Sequence, residues 1–326
     1  SLHDALPILG VNAYLEAGAL TAPQLLRVLE LPVDPWLVTK LEAAITALRI
    51  QKNLLATPGV YQKRGRLASE FEDQVARLGE WTSDYDLGCL VGQVVEETVH
   101  PYPDERADYR LLGQEYDRAA LNAHWDQLLA LRERLNAPAM RTLFGTVPTP
   151  GAVQTELNFV LKMFMTQRSN HKTLVLDLAA LKRYGQGQTT VISVLLERLL
   201  AFRLAKPGQF AVKLVIDEAH RYLPSNRAAL SRNGIFQVLR EGRKLGLSMI
   251  MTTQSPLDLP AELRSQFPNV LVHRLTTPEE QTALGLGSSQ EQLATGQVLV
   301  YQDGPEVAEG TAVGDRKSTR LNSSHS

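Results

Sequence analysis

Cysteine is almost missing from this 326-residue sequence: the one thiol, Cys89, cannot close an internal disulfide or build a multi-thiolate zinc site. An excess of either charge is missing too. With 34 Lys and Arg against 35 Asp and Glu, the formal net charge is -1, so no global basic field announces nucleic acid, and any such contact must be a local patch. No apolar run reaches the roughly 18 residues of a membrane span. Internal repeats and low-complexity tracts are absent as well. What is present, 44% hydrophobic and 21% charged residues on a chain long enough for two ordinary domains, is the make-up of a soluble globular protein. A cytoplasmic enzyme fits it.

The two ends are expected to be foreign. Residues 315–325 back-translate in frame into a sequencing-library adapter, and residues 1–8 into its partner adapter, so 1–8 and 315–326 are set aside as adapter-derived. That leaves 306 residues, from Leu9 to Gly314, and moves the formal charge from -1 to -2, because two acids (Asp4, Asp315) and three bases (Arg316, Lys317, Arg320) go. The expected consequence is a fragment whose gene continues at both ends.

From residue 21 to about 136 the apolar spacing is helical. Asp34 and Pro35 read as N-cap and first residue of a helix carrying Trp36, Leu37, Leu41, Ile45, Leu48 and Ile50 on packed positions. Further helical runs lie near 65–78 and 116–135, joined by a charged, proline-containing stretch at 100–106. Pro148 and Pro150, within 145–151, mark a boundary, since prolines so spaced continue neither a helix nor a central strand. Beyond it short apolar strands alternate with helices: strands at 173–178, 212–216, 247–252 and 270–275, helices at 189–203 and 226–244, and a helix capped by the Thr277-x-x-Glu280 box with Pro278 in its first turn. Strands of this kind predict a parallel sheet covered on both faces. The end, Val298 to Tyr301, then Asp303-Gly304, then Val307, reads as an edge hairpin. The expected organisation is a helical region over 9–150 and an α/β core over 151–314.

The strongest chemical signal is Leu214-Val215-Ile216-Asp217-Glu218, an apolar strand running straight into two carboxylates. In a parallel sheet the C-terminal strand ends face the ligand crevice, so both acids are delivered to one place. There the first can hold magnesium, directly or through water, and the second can orient water for in-line attack on a γ-phosphorus. A helix N-cap is the competing structural reading, because Asp is favoured at strand-to-helix junctions.

Three blocks follow in order: Asp217-Glu218-Ala219-His220-Arg221-Tyr222-Leu223-Pro224, Arg240-Glu241-Gly242-Arg243-Lys244-Leu245-Gly246, and Met251-Thr252-Thr253-Gln254-Ser255-Pro256. In content and order they resemble the C-terminal half of the HerA/FtsK superfamily of ATPases, most of all its HerA-like group, over about residues 172–314. The resemblance implies a RecA-like P-loop NTPase core in a hexameric ring that hydrolyses ATP with Mg2+ while moving duplex DNA. It makes Asp217 the magnesium acid, Glu218 the catalytic acid, Gln254 a sensor of the γ-phosphate, and Arg243 the arginine finger reaching a neighbouring subunit, with Arg240 its rival. Arginine suits that role because it stays charged and its fork matches phosphate oxygens. A nuclease or another DNA-processing effector is the partner the resemblance suggests.

One departure stands out. No Gly-x-x-x-x-Gly-Lys-Ser/Thr occurs in the chain, so nothing here cradles β- and γ-phosphates, and the isolated chain is expected to lack ATP turnover, the loop lying upstream in the family. Residues 217–220 also spell a DEAH box, but only 96 residues follow Glu218 up to and including Gly314, too few for a second RecA-like domain. A conjugation or secretion motor of the same superfamily and a non-enzymatic interaction module derived from such an ATPase are the remaining alternatives. Weaker features read structurally: Asp177 as a cap, His220 as a satisfied imidazole, His124 and His171 without metal-ligand spacing, and the basic run at 62–66 as a solvated loop.

Overall fold

A computed structural model of the chain describes residues 12–79, 84–100, 110–113, 115–146, 154–166, 173–178, 181–206, 210–224, 227–275, 277–284, 298–302 and 311–313. The two ends expected to be adapter-derived lie outside these, as do most of the expected boundary at 145–151, the expected Asp303-Gly304 turn and Val307. The chain forms two compact units, Ser1–Phe202 and Arg203–Ser326. Among the described residues no helix is long and apolar enough to cross a membrane.

The first unit is mostly helical. Its order is β1 (Asn12–Tyr14), α1 (Ala22–Val28), α2 (Pro35–Asn53), α3 (Ala68–Leu78), α4 (Leu90–Glu96), α5 (Arg118–Ala123), α6 (Trp125–Asn136), α7 (Pro138–Leu143), β2 (Gln154–Glu156), α8 (Leu157–Thr166) and α9 (Gly185–Ala205), whose end passes into the second unit. Asp34 caps α2 as its sequence demands, accepting the Leu37 N–H at 3.0 Å with Pro35 in the first turn. The helix then buries Leu37, Leu41, Ala44, Ile45 and Leu48 in one core with Leu25, Leu26, Leu90, Val94, Leu128 and Leu131. These positions recur every three or four residues, which keeps them on one face. The parallel pairing of β1 with β2, Asn12 opposite Gln154, has no counterpart in the sequence reading, since three-residue strands are too short to show a period.

The basic run at 62–66 is tied down rather than merely solvated. Lys63 pairs with Glu97 and lies 4.4 Å from the Phe71 ring centre, Arg64 lies over Tyr116, and Arg66 lies over Tyr61 while bonding Glu70 at 3.0 Å. Each cation is engaged by a ring or an acid of its own unit. His124 stacks on Trp36 with ring centres 3.8 Å apart; His171 lies outside the described residues.

The expected buried strand at 173–178 is not found. The segment belongs to no strand, and Val175 is 75% exposed. An apolar run becomes a strand only where a neighbour completes its hydrogen-bond ladder, and among the described residues none does.

The second unit carries β3 (Val212–Ile216), α10 (Arg227–Ser231), α11 (Gly234–Glu241), β4 (Leu247–Met251), α12 (Ala261–Arg264), β5 (Asn269–Val272), α13 (Pro278–Ala283), β6 (Val298–Gln302) and β7 (Thr311–Val313). The α/β class read from the sequence is what this unit has: β3 and β4 pair in parallel, Val212 opposite Leu247 and Ile216 opposite Met251, with α10 and α11 between them in the chain. The expected cover on both faces is not complete among the described residues, because the cross-strand pair Val215 and Ile250 is 68% and 45% exposed. The helix expected over 226–244 breaks at Asn233, whose side chain accepts the Ile235 N–H at 2.9 Å and so starts α11 afresh. The final strand β6 does pair antiparallel, but with β7 at Thr311–Val313, Val298 opposite Val313, while the expected return through Val307 lies outside the described residues; β6 also takes β5 antiparallel, Val272 opposite Leu299, so the strand expected at 270–275 is found at 269–272 in an antiparallel sheet. Thr277 and Glu280 form the capping box of α13, with Pro278 in its first turn.

Candidate active site

Because β3 and β4 run in parallel and in register, the chain leaves both at the same end. Pairing continues one step past the strands: the Thr252 N–H donates to the Ile216 carbonyl at 3.1 Å, and the Ala219 N–H to the Thr252 carbonyl at 2.9 Å. Between those two bonds lie Asp217 and Glu218. Glu218 sits at φ 50° and ψ 49°, the left-handed region that costs an ordinary residue about 1–2 kcal/mol. The backbone thus turns sharply just where the two acids emerge.

Side chains from the β4 end meet them there. The Thr252 hydroxyl donates to the Asp217 carboxylate and accepts the Glu218 N–H at 3.0 Å. The Gln254 amide donates to Oε1 of Glu218 at 3.0 Å. On the other oxygen, His220 Nδ1 lies 3.4 Å from Oε2 of Glu218 and 3.3 Å from the Thr253 hydroxyl. Thr253 gives its one proton to the Ser255 carbonyl, 3.0 Å away, so it must accept from His220, and a proton on Nδ1 satisfies both contacts. Asp217 is exposed and Glu218 half-buried, which leaves both reachable by a ligand.

Asp217, Glu218 and Gln254 are therefore brought together, as the sequence reading paired them. Arg243 and Arg240 are not beside them. Arg243 lies in the 3-10 turn Gly242–Leu245 after α11, and the Val212 N–H donates to the carbonyl of Gly246 at 2.9 Å, so this turn sits at the start of β3. Five strand residues at about 3.3 Å each place it roughly 17 Å of sheet away from the acids. Arg240, in the last turn of α11, lies 5.9 Å from the Phe236 ring centre. Both arginines are exposed. Asp177 lies in the exposed 173–178 segment, outside any strand.

Thr252 and Thr253 are the residues that sequence reasoning quoted without giving them a task. The available signal was a pair of hydroxyls at the end of a strand, but its meaning depends on knowing that β4 is the neighbour of β3. As for a metal, no group of three His, Cys, Asp or Glu converges among the described residues. One exposed carboxylate beside a threonine hydroxyl offers hard oxygen donors suited to an ion such as Mg2+, which keeps several waters and takes only one or two carboxylates.

Acids at the C-terminal end of a parallel strand pair, answered by a polar turn from the next strand, stand where open α/β sheets bind their ligands. Comparison with known proteins gives likenesses of three kinds. Residues 144–295 match the family model described as zonular occludens toxin, Zot. A probable helicase of Methanocaldococcus jannaschii is 31% identical over 84 residues, 26% of this chain and 16% of that protein. The DNA double-strand break repair helicase HerA of Saccharolobus solfataricus is 30% identical over 97 residues, 28% of this chain and 19% of that one. The aligned part is thus under a fifth of the length of these two relatives. Among solved structures, the bacterial conjugative coupling protein TrwB is similar with a TM-score of 0.47 at 13% identity, covering 96% of this chain and 72% of that one. The resemblance to HerA-like proteins carried by the three motif blocks is borne out at modest identity over part of the chain.

Proposed function

We propose that this chain is the acidic-strand half of the ATPase core of a HerA-type DNA motor, which hydrolyses ATP to move duplex DNA through a hexameric ring. The observation that carries this reading is the single hydrogen-bonded cluster of Asp217, Glu218 and Gln254 at one end of the β3–β4 pair. The likeness to HerA helicases supports DNA as the cargo. A cytoplasmic setting and a nuclease or similar DNA-processing effector as partner complete the reading.

In this reading Asp217 holds Mg2+ through its carboxylate and the ion's waters, and the ion when bound supplies charge neutralisation at the phosphates. Glu218 orients and polarises the attacking water. Gln254, bonded to Glu218, is placed to register the γ-phosphate and to pass its presence to the acid. In this reading a phosphate-cradling loop from outside these 326 residues completes the site, since no Gly-x-x-x-x-Gly-Lys-Ser/Thr occurs within them. Arg243, at the far end of the sheet from its own Glu218, serves the nucleotide of the adjacent subunit.

The test is Glu218→Gln in the full-length protein. The amide keeps the shape and leaves ATP binding in place, but it cannot polarise water as a carboxylate does, so turnover falls by about 10²- to 10⁴-fold. Retention of most of the turnover would return Glu218 to a structural role.

A further inference from the structure

We propose that Thr252 is a positioning residue that sets both acids of the site from one hydroxyl. The inference rests on the hydrolytic reading of Asp217 and Glu218. Its starting point is proton arithmetic. A threonine hydroxyl has one proton to give and lone pairs to accept with, while an ionised carboxylate can only accept. The bond between Thr252 and Asp217 therefore runs from hydroxyl to carboxylate, and the Glu218 N–H fills a lone pair on the same oxygen at 3.0 Å. The result is a directed relay, from Glu218 N–H to the Thr252 oxygen and from the Thr252 proton to Oδ1 of Asp217. Its second bond is charge-assisted, hence the stronger of the two.

Each bond holds a different part of the site. The bond to Oδ1 fixes the rotation of the Asp217 carboxylate and leaves its other oxygen free of Thr252. The bond from Glu218 N–H holds a backbone that is left-handed without being glycine, which the chain would otherwise relax. That backbone aims the Glu218 side chain at Gln254 and His220. Thr252 can do this because its own backbone is pinned on both sides, to Ile216 and to Ala219. It is exposed and belongs to none of the buried apolar clusters, so its hydroxyl matters to geometry more than to folding.

Thr252→Val keeps the branched shape and removes only the relay, while Thr252→Ser keeps the relay and removes only a methyl group. In the full-length protein, Thr252→Val is expected to lower kcat about 10²-fold, the scale of an ångström-size misplacement of a reacting group. KM for ATP should stay within about twofold, and Thr252→Ser should stay within about threefold of the parent in kcat, because the loss is confined to the transition state. In the 326-residue chain itself, hydrogen exchange at the Glu218 amide should quicken about tenfold or more in Thr252→Val and not in Thr252→Ser. Should the valine variant fold poorly, Thr252→Ala carries the same test. Wild-type turnover in the valine or alanine variant, an equal loss in the serine variant, or a change confined to KM each overturns the proposal. Glu218→Gln run in parallel separates the two ideas: if it stays active the hydrolytic reading falls, and if it is silent while Thr252→Val is active only the positioning role falls.

Discussion

Glu218 offers a test that needs no ATP, because its backbone conformation has a sign that can be measured. At φ 50° and ψ 49° a side chain meets its own carbonyl, at a cost of about 1–2 kcal/mol that glycine escapes. Replacing Ala by Gly at an ordinary position works the other way, costing about 0.4–1 kcal/mol through the freer unfolded chain. Glu218→Ala and Glu218→Gly both remove the contacts to Gln254 and His220, so those losses cancel in the comparison. What remains favours glycine by roughly 0.8 kcal/mol, the difference between the midpoints of those two ranges. At about 4 °C per kcal/mol for a unit of this size, the glycine variant of the 326-residue chain should melt roughly 2–4 °C above the alanine variant. Thermal unfolding followed by circular dichroism reads this directly. An alanine variant as stable as the glycine one, or more so, would refute the strained turn and with it the need for Thr252 to hold it.

Two further expectations concern other places. Burial, followed by the charges of Asp84 and Glu156 and opposed by Lys52, raises the Glu16 carboxyl above its usual value of 4.5. A raised acid means the native state keeps its proton longer than the unfolded chain, so stability is full below the unfolded value and is lost as pH rises through the folded one. Glu16→Gln should therefore raise the melting temperature at pH 7, with the gain shrinking toward zero below about pH 4.5; an equal gain at pH 3 would show that the cause is not ionisation. If the full-length protein forms the proposed ring, Arg243→Ala should lower its turnover by about 10³ or more with ATP affinity intact, the scale of fingers supplied in trans. Mixing it with Glu218→Gln should restore partial activity; recovery from the pair Arg240→Ala and Glu218→Gln instead would move the finger to Arg240.

Much of the local structure was legible before any fold was known, for reasons local to the chain. The caps at Asp34 and Thr277 depend on residues three apart, and they stand where the spacing placed them. The acidic strand end needed only an apolar run and two carboxylates, and the order of the three motif blocks carried the kinship. Failures came where a partner was distant or lacking. The run at 173–178 has strand composition but no described neighbour to complete its ladder, and the strand expected at 270–275 formed at 269–272 in an antiparallel sheet because β6, far along the chain, supplied its partner. The basic run at 62–66 looked merely solvated because Phe71, Glu97 and Tyr116 are scattered along the sequence.

By itself, then, the sequence named the candidate groups: two acids, an amide and two arginines. Only the tertiary structure decided which of them meet. Thr252 reaches Asp217 across 35 positions of chain and Gln254 reaches Glu218 across 36, through the register of β3 on β4. A slip of one residue would turn every side chain of the strand to the other face, so that pairing is set by the packing of the whole unit rather than by any neighbour in sequence. The same packing carries α11 back to the start of β3, which puts Arg243 at the opposite end of the sheet from the acid it follows by 25 residues.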